Sequence, residues 1–151
     1  MKLIIMAVQI LILTLLLSMV KQNDAHSVVI YHSEPSVQEV QAVIVENSRA
    51  YYIPSVLHLD SLWDFGRFKN PMEIKDSTLL SFLLNVDEDE FQLSDILKKC
   101  HCALTKNNIG ISFDGSNWYN FGEVRHCKPE CSNLIQIRLS DMFIQLKSEN
   151  K

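Results

Sequence analysis

Six side chains in the last third of this chain could do chemistry together: Cys100, His101 and Cys102, then His126, Cys127 and Cys131. Thiolates and imidazoles are soft donors, and four of them can hold a structural zinc ion in a tetrahedron. The same four cysteines can instead close two disulfides. The redox compartment decides between these outcomes. Neither half of the cluster has the Cys-x-x-Cys spacing of common zinc sites.

The other end of the chain bears on that choice. Met1-Lys2 is a short positive start, and Leu3 to Val20 is an uncharged run of 18 residues. Ala25-His26-Ser27 then places small residues where a signal peptidase needs them. The pattern predicts a signal peptide over residues 1–27 and a secreted mature chain from Val28. Lys2 and Lys21 flank the apolar run on both sides, so an uncleaved anchor is the alternative. A membrane partner is expected only in that case.

Export favours two disulfides among Cys100, Cys102, Cys127 and Cys131, over a zinc-stabilised module. Bridging Cys100 to Cys102 is unfavourable, because residues two apart rarely meet disulfide geometry. The nested and the crossed pairings both remain open. Each joins the region of Cys100 to the region of Cys131 and closes loops of roughly 25–32 residues.

Cys100-His101-Cys102 followed by Cys127 resembles the C-x-C…C spacing of chemokines. The chain departs from them in the position of its fourth cysteine and in the long segment ahead of the motif. Trp118-Tyr119-Asn120-Phe121, downstream of His101, resembles the histidine box of ubiquitin-specific proteases, without the acidic pair that follows it. Neither resemblance assigns a functional residue here.

Nucleophilic catalysis needs a free thiol or an activated hydroxyl beside a base. No nucleophile-elbow, zincin, P-loop or dinucleotide motif occurs. The reading is therefore a non-enzyme, with no catalytic residue, cofactor or metal assigned and a small hydrolase as a minor alternative. Binding is the better expectation. Trp118, Tyr119 and Phe121 follow a turn rich in Gly, Ser and Asn, and rigid aromatics supply contact area at little entropic cost. Trp63 and Phe65 form a second aromatic candidate.

Charge narrows the partner. The segment from Val28 onward carries 12 basic and 17 acidic residues, a net charge of −5. Without a basic stripe it is a poor ligand for nucleic acid. The expected partner is an extracellular or cell-surface protein.

The elements that must position these residues read as α+β, in one domain over 28–151. Strands are predicted at Val28–Tyr31 and at Val37–Glu46. A further strand over Arg49–Ile53 pairs with the second through an Asn47-Ser48 turn and ends at Pro54. Two or three short helices follow: one after Ser55, one capped by Asp76 and one over Asp95–Cys102. The Asp87–Glu90 carboxylates read as a solvated loop, with a calcium site the sharper but weaker reading. Asp114-Gly115 marks a second hairpin. Strict alternation over Leu134–Leu139 predicts a strand, a turn at Ser140-Asp141 and a last strand over Met142–Leu146. The predicted fold is thus a mainly antiparallel sheet with the helices inserted between two sets of strands, stapled by two disulfides.

Overall fold

The computed structural model describes residues 27–57, 68, 70–92 and 99–150. They form a six-stranded, fully antiparallel sheet with two α-helices. The strands are β1 (Val28–Ser33), β2 (Val40–Glu46), β3 (Arg49–Val56), β4 (Met72–Glu73), β5 (Ala103–Ser112) and β6 (Tyr119–Arg125). Helix α1 is Ser77–Leu84 and α2 is Ile135–Glu149. The sheet order is β4-β3-β2-β1-β5-β6, so β1 bridges the N-terminal and C-terminal hairpins.

Alternation along the strands divides the apolar residues between two faces. Val28, Ile30, Val43, Val45, Tyr52, Ile109 and Ile111 face the helices. Val29, Tyr31, Ala42, Ile44 and Ile53 line the opposite face, where Phe68 and Trp118 pack against them. Burial on both faces explains why β1 and β2 read as nearly continuous apolar runs.

The Asn47-Ser48 turn forms as expected, with φ of 50° and 62°. Paired positive φ values match the right-handed twist of the strands it joins. Pro54 does not end β3, which continues to Val56. The register shifts between Val40 and Ala42, so Pro54 falls in a bulge where no ladder donor is needed. Asp76 caps α1 as predicted, its Oδ1 accepting from Leu79 N at 2.7 Å.

The C-terminal segment departs from the expectation. Instead of two strands it is one helix, α2, so the helices do not all lie between two sets of strands. Ile135, Ile137 and Leu139 satisfy a period of two, but only a helical period continues through Met142, Phe143 and Leu146. Ser140, read as a turn residue, lies mid-helix, and its hydroxyl donates to Gln136 O at 2.8 Å. The same hydroxyl accepts from Val124 N at 2.9 Å, fastening α2 to the outer strand β6. Ser55 and Val56 belong to β3, and the rest of the helix expected after them lies outside the described residues. So does most of the helix expected over Asp95–Cys102; His101 is in a turn and Cys102 leads into β5.

Candidate functional site

The β5–β6 hairpin is fixed at both ends. At its base, Cys102 precedes β5 and Cys127 follows β6, and the two are bonded with Cα atoms 4.2 Å apart. The outer bridge joins Cys100 to Cys131, so the pairing is nested. Backbone geometry explains the inner bridge. Ala103 pairs with Arg125, and one more ladder step would set Cys102 opposite His126, with Cys127 turned to the other face. His126, between Arg125 and Cys127, adopts a left-handed φ of 52°, which breaks the alternation and turns Cys127 back toward Cys102. His101, with φ of 50°, makes the corresponding turn between Cys102 and Cys100 of the outer bridge. Histidine is among the residues that tolerate this region.

At its tip, the Asp114 carboxylate organises the turn. It accepts from Asn117 N at 2.8 Å, Ser116 N at 2.9 Å, Asn117 Nδ2 at 2.6 Å and the Ser112 hydroxyl at 3.3 Å. These donors, led by the Asn117 and Ser116 amides, hold its pKa far below the usual carboxylate range. Gly115 supplies the positive φ, 83°.

Across its width, two neighbouring residues of β1 reach over β5 to β6, one on each face. Tyr31 pairs with Gly110, which pairs with Asn120. The Tyr31 ring lies over Gly110, and its hydroxyl donates to Asn120 Oδ1 at 2.6 Å while accepting from Asn108 Nδ2 at 3.0 Å. On the helix face, His32 Nε2 meets Glu123 Oε2 at 2.7 Å, and the imidazole stacks on Phe143 of α2. Glu123 also accepts from Asn107 Nδ2 at 2.8 Å and pairs with Arg125. A bulge in β5 between Leu104 and Asn108 brings Asn107 to that carboxylate. Burial raises the Glu123 pKa, but the Asn107, His32 and Arg125 donors outweigh it, and the net shift is downward.

The predicted aromatics are separated by this geometry. Trp118 is half-buried on the far face, edge-on to Tyr31 with ring centroids 5.1 Å apart. Tyr119 and Phe121 point to the helix face, where they pack with Phe91 and Phe113. The Tyr119 hydroxyl donates to Glu88, within the acidic run, at 2.5 Å. The three residues therefore do not form one patch. Trp63 and Phe65 lie outside the described residues.

His32, Asn107, Glu123 and Arg125 were not singled out by sequence reasoning. His32 and Glu123 are 91 positions apart, and nothing local marks them as partners. All four cysteines are consumed in disulfides. Among the described residues, no three His, Cys, Asp or Glu side chains converge as a metal site, and no helix is long and apolar enough to cross a membrane.

Fold and hairpin together define an α+β protein with two nested disulfides closing a cross-braced hairpin. No protein-family model matches the sequence, and no curated protein or solved structure matches it either.

Proposed function

We propose that the chain is a secreted, disulfide-stabilised binding protein whose Trp118 face engages an extracellular or cell-surface protein. The observation that carries this reading is the fixation of one hairpin at its base, tip and width. Cys102–Cys127 holds the base and Asp114 the tip, while Tyr31 and His32 brace the two faces. A surface held this way loses little conformational freedom on binding. Trp118 is its half-buried aromatic, lying beside the Asp114 turn. The disulfides and the N-terminal segment together support export.

Two measurements test the reading. Mass mapping of the chain expressed with its N-terminus should find a product starting at Val28, with no free thiol. A product retaining residues 1–27 in the membrane fraction would replace secretion with anchoring. Trp118→Ala should then abolish capture of cell-surface proteins while thermal unfolding stays within a few degrees of the parent. Capture unchanged by Trp118→Ala would sink the proposed face.

A further inference from the structure

We propose that the groove between α1 and α2 is a binding site for a carboxylate-bearing sugar, held through the guanidinium of Arg138. The groove encloses about 580 Å³. That volume lies within the usual range for small-molecule sites. Its α1 wall is polar: Ser77, Ser81 and Asn85 fall at i, i+4 and i+8, on one side of the helix, with Thr78 beside them. Phe82 and Ile135 form its apolar floor. Hydroxyls and an amide over a small apolar floor suit a polyhydroxylated ligand better than an apolar one.

Arg138 supplies the charge. Its guanidinium carbon lies 3.9 Å from the centroid of the Phe82 ring. A guanidinium held against a ring keeps its N–H fork free for a planar anion. The other arginines with described structure are committed, Arg49 to Glu73 and Arg125 to Glu123. Among the described residues, Arg138 has no carboxylate at ion-pair distance, although the protein carries a net charge of −4. Asp76 and Asp141 border an adjoining groove that Arg138 also lines. Their like charge makes that groove less favourable for a ligand carboxylate than the serine wall. A fork of donors facing hydroxyls matches one carboxylate and neighbouring sugar hydroxyls.

Two sources share this chemistry, an acidic sugar ending a glycan and a free sugar acid. The glycan source rests on the export proposed above; the groove itself does not. The test is a titration of the disulfide-bonded chain, followed by amide chemical shifts, with sialyllactose, lactose, free glucuronate and inorganic sulfate. Sialyllactose should shift signals over Ser77–Asn85 and at Arg138, with lactose at least about tenfold weaker. Arg138→Gln should abolish the shifts, and Arg138→Lys should weaken binding about tenfold because the fork is lost. Thr78→Val with Ser81→Ala, both exposed positions, should weaken the sugar without altering the fold. Glucuronate binding as tightly as sialyllactose would keep the site and assign it to free sugar acids. The absence of shifts at millimolar ligand, shifts unchanged in Arg138→Gln, or full displacement by equimolar sulfate would each overturn the proposal. Failure of export would leave all of these titrations unchanged and would show separately as a product that does not start at Val28.

Discussion

His32 on β1 reaches across β5 to Glu123 on β6, Nε2 to Oε2 at 2.7 Å, and both side chains are at most 5% exposed. Because Glu123 has a lower pKa folded than unfolded, its ionised form contributes stability above the ordinary glutamate range. That contribution is lost as pH falls below about 4.3 and through the lower folded value. Glu123→Gln should therefore flatten the acid limb of stability against pH. At neutral pH it should cost about 2–3 kcal/mol, less than a fully buried broken pair because Arg125 reaches solvent. Urea unfolding at several pH values measures both effects. An acid limb unchanged from the parent would remove Glu123 as its source.

Gly110 is the counterpart on the opposite face. A Cβ there would lie 2.1 Å from Tyr31 Cε1 and 2.6 Å from Asn120 Oδ1. Gly110→Ala must lift the Tyr31 ring and break its bond to Asn120. The expected loss is about 1–3 kcal/mol, read from thermal unfolding. Burial raises the Tyr31 pKa, with the Asn108 donor opposing it, so the neutral phenol contributes stability that is lost as pH rises through the raised value. The variant should bring Tyr31 ionisation back toward the ordinary tyrosine range in a spectrophotometric titration.

The nested bridges share one task. With either in place, the other closes only the short ring of residues 100–102 and 127–131. By loop entropy, a ring of about eight residues is worth roughly 2–3 kcal/mol, whereas losing both bridges should cost about 6 kcal/mol. Each pair of serine substitutions alone should thus be mild, and the quadruple variant should lose more than their sum. Chemical denaturation of the three variants tests this. Additive losses would contradict the shared ring.

The Asp114 carboxylate holds the turn through two backbone amides and the Asn117 side chain. Asp114→Ala should speed amide exchange at Ser116 and Asn117 and lower the melting temperature. It should also weaken capture through Trp118. Since the carboxyl stays ionised far below the usual range, those amides in the parent should keep at pH 3 the protection, relative to an unstructured chain at the same pH, that they show at neutral pH. Loss of that protection at pH 3 would show that the carboxylate does not organise the turn.

What the sequence made legible was local. Asn47-Ser48 and Asp114-Gly115 mark their turns by the backbone angles they tolerate, and Asp76 marks a helix start by its cap. The cysteines were legible as a set, but their nested order depends on left-handed turns at His101 and His126 that no pattern announces. Residues 135–139 satisfied strand and helix periods at once, and the decision came only from Met142 and Phe143 packing on the sheet. His32 and Glu123 depend on strand order and on a bulge, which a linear reading does not contain. The aromatic trio failed as a patch because alternate residues of one strand face opposite ways.

The bond from Val124 N to the Ser140 hydroxyl gives α2 a second role. Among the described residues β6 and β4 are the sheet's outer strands; β4 is two residues long, and on β6 the outward amide of Val124 is taken by Ser140 of α2. A bare rim is a template on which another chain can add a strand and start a fibre. Here one outer strand is only two residues long, and on the other a side chain occupies the Val124 amide. A Ser140→Ala chain should keep its fold in dilute solution, yet its tendency to stack into aggregates on concentration should rise.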